Sequence, residues 1–435
     1  MKIFKFNNLE ICYHHNQKVH IENNNEIFEC ISEQSGSTPG IKFYYNFEKN
    51  KLYELTIKLI TNSKFKYLPL TSSTYVLCEK ENVIDGIEYQ TYLIESIEEQ
   101  NNKIQNVLFC FNVPNKNDFF KLIDVDIKIK DMSLYSNYYF TTSTSAIFFS
   151  NKIVKNTDCF MCFPIKNQKI TTSIFLKNKI LLLIGLYWPE KYDLYYKNLF
   201  NIVDKVIILW AGTDILQLDT NMNDIERNKL LDILRNNKKI ISVAENDHII
   251  NKMNTKYNLN TKLLPLPIDN YNINEINYNF DKLIISLYLP QTRKDFFNYD
   301  LILNIAIKRP QYTFIFYDHN GIETNDNEKN LKNCIFIKKP VTTPFDIYKI
   351  VNCGMRITEH DGEPLTGIEM MSLGLHFIFN HDLKHAIKVE KNEDDILLKL
   401  DNLNNNLLFN KEGNEYYTKR NSINSFLTNF ENLIK

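Results

Sequence analysis

From Lys179 onwards the sequence alternates apolar runs with amphipathic segments, and this alternation limits the possible folds more than any other feature of the chain. The apolar runs are "KILLLIGLYW", "DKVIILWAGTD", "KKIISVAEN" and "TKLLPLPID". Between them, "YDLYYKNLFNIV" and "DIERNKLLDILRNN" space Leu, Ile and Phe at helical intervals. Near-continuous apolar runs are typical of strands that are buried on both faces of a sheet. The pattern therefore predicts an α/β unit with a parallel sheet.

The same alternation begins again after the Asn-rich segment "NYNINEINYNF". It continues through "LIISLYLP", "YDLILNIAIKRP", "YTFIFYD", "NCIFIKK", "PFDIYKIVNC", "GMRITEHDG", "GIEMMSLG" and "HFIFN". We therefore predict two Rossmann-like halves, residues 178–275 and 276–435, with a cleft between them. Ligands of doubly wound sheets bind at the carboxyl ends of the strands, and the loop "EHDGEPL" follows one such end.

Residues 1–135 have a different pattern, which predicts an antiparallel β-sandwich of the jelly-roll kind. Runs such as "KLYELTIKLI" and "NVLFCFNV" are rich in β-branched and aromatic residues and are separated by polar turns. In "YELTIKLI" and "LIDVDIKIK" apolar residues alternate with period two, which places one face of each strand in a core. Tyr44, Tyr45 and Tyr92 either bind sugars on the surface of this domain or belong to its core. Residues 136–177 are interpreted as a connector.

Composition excludes some classes of function. The chain of 435 residues has 51 basic and 52 acidic side chains, a formal net charge of −1, so no overall field attracts nucleic acid or anionic membranes. The longest apolar run, "ILLLIGLYW", is too short to span a bilayer, and "MKIFKFNNLEI" lacks the features of a secretory signal. We expect a soluble cytoplasmic protein, which can still act beside a membrane or on a particle.

Candidate metal ligands are sparse. Cys159 and Cys162 form a C-x-x-C pair, but the sequence has no second pair to complete a zinc site. His381 and His385 are spaced like two ligands on a helix, but the intervening glutamate of a zinc hydrolase is missing. His360 is interpreted as a surface residue. We predict that the protein binds no metal ion.

The loop "TEHDGEPLTGIEMMSLG", residues 358–374, is the strongest candidate for a binding site. Gly362 allows a ligand to approach the backbone, and Pro364 fixes φ before a helix that is predicted to run from Thr366 to Gly374. The amino end of a helix offers free N–H groups to phosphate oxygens. Glu369 can accept hydrogen bonds from a ribose diol, or it can complete a capping box with Thr366. The sequence leaves both roles open.

These residues resemble a known family. "DGEPLTGIEMMSLG" places Asp361 and Glu369 eight positions apart, as in the E-x7-E loop of retaining, family-four-like (group 1) glycosyltransferases of the two-Rossmann glycosyltransferase-B fold. Asp361 stands where the family has a first glutamate. "LWAGTD" is similar to the W-x-G-[ST]-D element, and "ISVAEN" followed by "LLPLPID" is similar to the strand pair before the interdomain linker. The resemblance covers residues 178–390, and "DDILLKLDNL" continues it. Ala211 stands where many relatives have a histidine.

The resemblance implies roles for individual residues. Glu369 holds the ribose of the nucleotide, and Asp361 contacts hydroxyl groups of the donor sugar. Arg293 or Lys294 binds the diphosphate, and Asp214 and Gly212 lie where donor and acceptor meet. The remaining loop residues lie beside the donor sugar and the diphosphate: Gly362, Glu363, Pro364, Leu365 and Thr366.

The resemblance also implies a function. The chain is expected to transfer a sugar from a nucleoside-diphosphate sugar to a glycan or another acceptor, with retention of configuration and without a metal ion or cofactor. Ala211 and Asp361 motivate an alternative, a sugar- or nucleotide-binding relative without catalytic activity. A sugar-nucleotide epimerase on the same architecture is a second alternative.

Overall fold

The structure is a computed structural model, and it describes most of the chain from Gln17 to Lys435. The described residues are 17–22, 25–30, 40–45, 48, 51–62, 65–69, 74–96, 105–111, 117–130, 138–142, 160–162, 177, 179–186, 189–269, 271–278, 281–318, 321–322, 324, 330–339, 341, 343–359 and 361–435. The chain divides into two compact units. The first unit contains Met1–Trp210, Asp214–Val243 and Tyr257–Asn260, and the second contains Ala211–Thr213, Ala244–Lys256 and Thr261–Lys435. The domain boundaries that we place at residues 135, 177 and 275 stay predictions.

The amino-terminal part of the first unit is built of antiparallel strands. They are β1 (Gln17–Glu22), β2 (Asn25–Cys30), β3 (Gly40–Tyr45), β4 (Lys51–Thr61), β5 (Phe65–Pro69), β6 (Thr74–Ile84), β7 (Ile87–Ser96), β8 (Gln105–Phe111) and β9 (Phe119–Lys130). Six of them pair in the order β1-β2-β9-β4-β7-β6, and β3-β8-β5 form a small sheet of their own. The pairs are antiparallel throughout both groups. The predicted antiparallel strands are therefore present, whereas their arrangement as a sandwich remains a prediction.

The period-two alternation holds in β4 and is interrupted in β9. Leu55, Ile57 and Leu59 are fully buried and alternate with partly exposed polar residues. In β9, Leu122 and Val125 are buried although they are three positions apart. The pairing with β4 shifts at this point, because Lys58 pairs with Asp124 while the adjacent Leu59 pairs with Leu122. An extra residue in one strand is a β-bulge, and it moves the buried positions by one.

The predicted connector contributes two strands that join the antiparallel strands to parallel ones. β10 (Tyr138–Thr142) and β11 (Phe160–Cys162) are followed by β12 (Ile180–Ile184), β13 (Lys205–Trp210), β14 (Ile240–Ala244) and the short β15 (Lys262–Leu263). β11 pairs with β6 antiparallel and with β10 parallel, and β10 and β13 both pair with β12 parallel. The sheet of the first unit thus changes from antiparallel to parallel at β11.

Helices follow these strands in the predicted order. They are α1 (Tyr192–Tyr195), α2 (Lys197–Ile202), α3 (Thr213–Thr220), α4 (Asp224–Asn236) and α5 (Asp247–Tyr257). α4 begins where the side chain of Asn223 accepts a hydrogen bond from the N–H of Glu226, which is an ordinary Asn cap. In the part of the chain that the structure describes, no helix is both long enough and apolar enough to cross a membrane.

The second unit contains a parallel sheet with helices on both faces. Its strands are β16 (Ile284–Tyr288), β17 (Thr313–Tyr317), β18 (Cys334–Phe336), β19 (Cys353–Arg356), β20 (His376–Phe379) and β21 (Ile387–Lys388), in the order β18-β17-β16-β19-β20-β21. Each pair is parallel. The helices are α6 (Tyr299–Lys308), α7 (Phe345–Tyr348), α8 (Leu365–Ser372), α9 (Glu393–Asn405), α10 (Lys411–Arg420) and α11 (Ile423–Ile434).

Two clusters of buried side chains stabilise this sheet. Phe314 and Phe316 belong to a cluster with residues of α6 and α9, whereas Ile315 and Tyr317 belong to a cluster with residues of α7, α8 and α10. Because neighbouring residues of a strand point to opposite faces, the two clusters lie on opposite faces of β17. The predicted α/β class with parallel sheets is confirmed.

Candidate functional site

The candidate loop joins β19 to α8 in the second unit, at the carboxyl end of a parallel strand. α8 begins at Leu365, and its N-cap is Pro364, which makes no side-chain capping hydrogen bond. The N–H groups of Leu365 and Thr366 have no hydrogen-bond acceptor among the described residues. Both therefore stay available to a ligand, as expected at the amino end of a helix.

The carboxyl end of α8 confirms the predicted stop. Gly374 has a φ of +74°, its N–H donates to the carbonyl of Met371, and the N–H of Leu375 donates to the carbonyl of Met370. This pair of bonds is a Schellman motif, and glycine adopts the required left-handed conformation without strain.

The capping box between Thr366 and Glu369 is wrong. Thr366 is the second residue of α8, and the Glu369 carboxylate instead accepts a 3.0 Å hydrogen bond from the hydroxyl group of Tyr348. Glu369 is only 1% exposed. Because the N-cap of α8 is Pro364, Thr366 is not in the position that a capping box requires.

A second tyrosine, Tyr271, also interacts with Glu369. Tyr271 stacks on Phe345 with ring centroids 4.6 Å apart, and its hydroxyl interacts with both Asp269 and Glu369. Burial, and then the charge of Glu369, raises the pKa of the Tyr271 phenol well above its ordinary value. Burial and the same carboxylate raise the pKa of Tyr348. Both phenols therefore stay protonated and can donate to Glu369.

Asp361 is fixed at the end of β19 by three donors. Its Oδ2 atom accepts from Nε of Arg356 and lies 3.4 Å from Oγ1 of Thr358, and its Oδ1 atom accepts from the N–H of Gly362 at 3.0 Å. The Arg356 and Asp361 side chains are 19% and 14% exposed. An arginine and an aspartate that are both largely buried orient one another and fix the start of the loop.

A small pocket lies beside this ion pair, between the strand ends and α8. It is lined by residues of β16, β17, β19, α8 and β20: Ser286, Tyr288, Tyr317, Met355, Arg356, Thr366, Met370 and Phe377. Burial, and then the charge of Asp318, raises the pKa of Tyr288 to about 12, while the charges of Arg356 and Arg293 oppose the rise. The positive charges of both arginines therefore reach this phenol.

Arg293 and Lys294, the two candidates for the basic residue that binds the diphosphate, have different surroundings. Both follow β16: Arg293 ends the 3₁₀ turn Gln291–Arg293, and Lys294 lies between this turn and the next one, Asp295–Phe297. The guanidinium carbon of Arg293 lies 4.1 Å from the ring centroid of Phe296, and Nζ of Lys294 lies 4.6 Å from that of Tyr299. Arg293 is the one whose charge acts on pocket-lining Tyr288, and so Arg293 is the better candidate of the two.

Sequence reasoning missed Arg356. The signal that was available is its place in "GMRIT", where a basic residue ends an otherwise apolar strand. Ligands of doubly wound sheets bind at the carboxyl ends of such strands.

Gly362 lies against a second acidic residue that the sequence analysis also missed. A Cβ atom at Gly362 would lie 2.6 Å from Oε1 of Glu245 and 3.6 Å from the carbonyl oxygen of Ala211. Gly212, with a φ of +93°, packs against Gly362, because a Cβ atom on Gly212 would lie in van der Waals contact with the Gly362 nitrogen, 3.6 Å away. Oε1 of Glu245 accepts the N–H of Glu363 at 3.0 Å. The loop backbone is therefore packed tightly at its glycine.

Glu363 makes an ion pair. Both of its carboxylate oxygens lie 2.9 Å from Nη1 of Arg420, the last residue of α10, and Nη2 of that arginine donates to the carbonyl of Glu245 at 2.7 Å. Burial raises the pKa of Glu363, although the charge of Arg420 opposes this shift.

Asp214 lies in the first unit and is fully buried. Its carboxylate accepts the N–H of Leu186 at 3.0 Å and the N–H of Ile215 at 3.0 Å, and so it ties the segment after β12 to the start of α3. The structure thus gives Asp214 a structural role, and its predicted place beside the acceptor stays a prediction.

The prediction that the protein binds no metal ion stays a prediction. The described residues contain no group of three or more His, Cys, Asp or Glu side chains that could hold a metal ion. His381 and His385 lie in a turn after β20 and not on a helix. Cys159 and His360 lie outside the described residues.

Comparisons with known proteins are distant. No known family model and no curated protein matches the chain. The crystal structure of TarM matches with 14% identity and a TM-score of 0.43, covering 96% of this chain and 79% of TarM. Sucrose-phosphate synthase from Thermosynechococcus elongatus matches with 10% identity and a TM-score of 0.48, covering 68% of this chain and 98% of that one. HepE from Anabaena in complex with UDP and glucose matches with 8% identity and a TM-score of 0.48, covering 69% and 99%.

Proposed function

We propose that the protein is a glycosyltransferase of the glycosyltransferase-B type, which transfers a sugar from a nucleoside-diphosphate sugar to a hydroxyl group of a glycan or another acceptor. In this reaction the bond between the anomeric carbon and the diphosphate oxygen breaks, and the diphosphate leaves with the bonding electrons. The acceptor oxygen bonds to the anomeric carbon, and its proton passes to the departing diphosphate. Transfer with retention of configuration and without a metal ion is part of the proposal.

The arrangement of Asp361, Arg356 and the amino end of α8 carries the proposal. Asp361 and Glu369 are the two acidic positions of the loop motif, and the free N–H groups of Leu365 and Thr366 lie between them in the chain. Arg356 lines the adjacent pocket. Negative charge grows on the diphosphate as it departs, and cations and backbone N–H groups stabilise such charge in a site that excludes water.

The individual roles follow from this arrangement. Arg356 and Arg293 bind the diphosphate, and the backbone of Gly362 and Pro364 lies against the donor sugar. Asp361 accepts hydrogen bonds from hydroxyl groups of that sugar through the lone pairs that its three protein donors leave.

Glu369 binds the ribose diol in this proposal, and its burial adds a condition. A ribose hydroxyl can reach this carboxylate only where the phenol of Tyr271 gives up its interaction with it, because Glu369 is 1% exposed. Nucleotide binding then exchanges one hydroxyl donor for another.

A donor-binding protein without transferase activity is the second candidate. The observation that favours it is the ion pair between Arg356 and Asp361, which already neutralises the carboxylate next to the donor sugar. Ala211 adds to it, because many members of the family that the motif resembles have a histidine at that position.

One experiment separates these candidates. The full chain is titrated by calorimetry with UDP, GDP, ADP and CMP, and the nucleotide that binds defines the set of nucleotide sugars to be incubated with the protein. Release of the nucleoside diphosphate in the presence of glycan acceptors, with a glycosylated product, supports the transferase. Binding without turnover supports the binding protein. An epimerised donor in an acceptor-free reaction would support an epimerase, and absence of all nucleotide binding contradicts the proposal.

A further inference from the structure

Arg420 lies 57 residues after Glu363 of the candidate loop and yet contacts it directly. Its Nη1 atom lies 2.9 Å from both carboxylate oxygens of Glu363, and its Nη2 atom donates to the carbonyl of Glu245 at 2.7 Å. Glu245 in turn accepts the N–H of Glu363. Arg420 therefore holds the loop through the Glu363 side chain, while Glu245 holds the same loop residue through its backbone.

These contacts are largely shielded from water. The side chains of Arg420 and Glu363 are 14% and 6% exposed, and Glu245 is 5% exposed. Shielded charge-assisted hydrogen bonds are stronger and more directional than exposed ones. The arginine of a surface ion pair could move freely, whereas this one has defined partners on two segments.

The position of Arg420 is itself fixed. The next residue, Asn421, is fully buried, its Nδ2 atom donates to the carbonyl of Leu266 at 2.7 Å, and its own carbonyl accepts the N–H of Ile268 at 2.9 Å. The junction between α10 and α11 is thus tied to the segment Leu266–Ile268, and the guanidinium group extends from this fixed point towards the loop.

We propose that Arg420 is a positioning residue for the donor loop, which sets the backbone at Gly362, Glu363 and Pro364 for a bound nucleoside-diphosphate sugar without touching the reacting atoms. This inference rests on the proposed function, because the loop residues it positions are those assigned to the donor. Glu245 lies close beside Gly362, since an atom added at its Cβ position would lie 2.6 Å from Oε1 of Glu245. Arg420 prevents Glu363 and the carbonyl of Glu245 from moving apart.

The expected effect is on donor binding and catalysis and not on stability alone. A displacement of about 1 Å at a catalytic site can lower activity by roughly a hundredfold. Replacement of Arg420 should therefore lower affinity for the nucleoside diphosphate and kcat by about ten- to a hundredfold.

The test uses three variants of the full chain. R420K keeps the charge but lacks the planar group that spans Glu363 and the Glu245 carbonyl. R420M leaves Glu363 buried and uncompensated, and it can fail to fold for that reason alone. R420M/E363Q removes both charges and so loses the contact without leaving a buried unpaired charge.

R309K is the matched control. Arg309 forms an ion pair with Asp401 in the same unit through Nε and Nη2, at 2.8 and 2.6 Å, on the side of the sheet where α6 and α9 pack. It has no contact with the loop, so any loss of general stability appears in R309K without loss of donor binding.

Two measurements separate this inference from the proposed function. Hydrogen–deuterium exchange of residues 359–368 without any ligand reports the loop itself, and calorimetry with UDP, GDP and ADP reports donor binding. We expect faster exchange of this segment in R420K and R420M/E363Q but not in R309K, with a parallel loss of nucleotide affinity. Unchanged exchange in R420M/E363Q would overturn the inference, and so would faster exchange with wild-type affinity and wild-type kcat. If the wild type binds none of the nucleotides, the proposed function fails, and faster exchange in the Arg420 variants would then show a positioned loop with another ligand.

Discussion

The hydroxyl group of Tyr348 donates a 3.0 Å hydrogen bond to Oε2 of Glu369, across 21 positions of the sequence. This bond connects α7 to α8 underneath the candidate loop. It gives Glu369 a partner that its own helix does not supply, and the hydroxyl group of Tyr271 also interacts with this carboxylate. The hydrogen-bond partners of Glu369 named here therefore lie outside α8.

E369Q should weaken nucleotide binding with little change in stability. Glutamine fills the same volume and can still accept from Tyr348, but it lacks the charge that strengthens hydrogen bonds from ribose hydroxyls. A charge-assisted bond contributes about 1.5–3 kcal/mol, which corresponds to roughly ten- to a hundredfold in affinity. Calorimetry with the bound nucleoside diphosphate measures this loss, and Y348F serves as the control. Equal losses in both variants would mean that Glu369 only anchors Tyr348.

Y271F should act in the opposite direction. Phenylalanine keeps the stack on Phe345 but lacks the hydroxyl group that interacts with Glu369. A ribose hydroxyl then meets no competitor, so nucleotide affinity should rise by about three- to tenfold, the value of one hydrogen bond. The measurement is the same titration, with the 2′,3′-dideoxynucleotide as a second ligand. Affinity gained equally by the dideoxy compound would contradict an exchange of hydroxyl donors.

R356M should lower the affinity for a nucleoside diphosphate more than the affinity for the matching monophosphate. Arg356 lines the pocket next to the amino end of α8, where the second phosphate is proposed to bind. The expected loss is roughly tenfold or more for the diphosphate and about twofold for the monophosphate, and R356K should fall between the wild type and R356M. R356M leaves Asp361 without its ion-pair partner, so the melting temperatures of the wild type and the variant are compared to check that the variant is still folded. Equal losses for both nucleotides would place Arg356 outside the diphosphate site.

The order of strands and helices could be read from the sequence, because buried parallel strands and amphipathic helices leave strong local patterns. The end of α8 at Gly374 could be read for the same reason, since the Schellman motif depends on one glycine. The capping box failed because helix α8 starts one residue earlier, at Leu365, and because Tyr348 binds Glu369. T-x-x-E is a local pattern, and it carries no information on a tyrosine 21 residues away.

The three charged residues that hold the loop differ in how well the sequence alone could have identified them. Glu245 follows β14 and Arg356 ends β19, and a charged residue at the carboxyl end of an apolar strand is a signal that the sequence does contain. Arg420 has no comparable signal, because it is one of two basic residues at the end of a polar helix and only the fold brings it to Glu363. Contacts between distant segments depend on how the helices pack on the sheet, which local periodicity does not determine.

G362A should destabilise the protein and reduce donor binding. The new Cβ would lie 2.6 Å from Oε1 of Glu245, so this carboxylate must move and release the N–H of Glu363. Overpacking of this kind costs about 1–3 kcal/mol of the free energy of unfolding. G413A is the matched control, because its Cβ would lie 2.7 Å from the side chain of Asn410 at the start of α10 and so produces a similar clash away from the loop. Urea denaturation should show losses in both variants, whereas calorimetry should show lost nucleotide affinity only in G362A.

H376Q should make the stability of the protein less sensitive to mild acid. His376 starts β20, its Nε2 atom lies 2.6 Å from the carbonyl of Leu408, and burial lowers the pKa of the imidazole below 6.5, although that carbonyl opposes the shift. As pH falls through the unfolded-state value of 6.5, the unfolded chain binds a proton while the folded imidazole stays neutral, so stability is lost until the lower folded-state pKa is reached.

Glutamine can still donate to Leu408 but does not titrate. The free energy of unfolding of wild type and H376Q, measured by urea denaturation at about pH 7.5 and about pH 5.5, should therefore fall less in the variant. An identical decrease in both proteins would show that His376 does not control stability in this range.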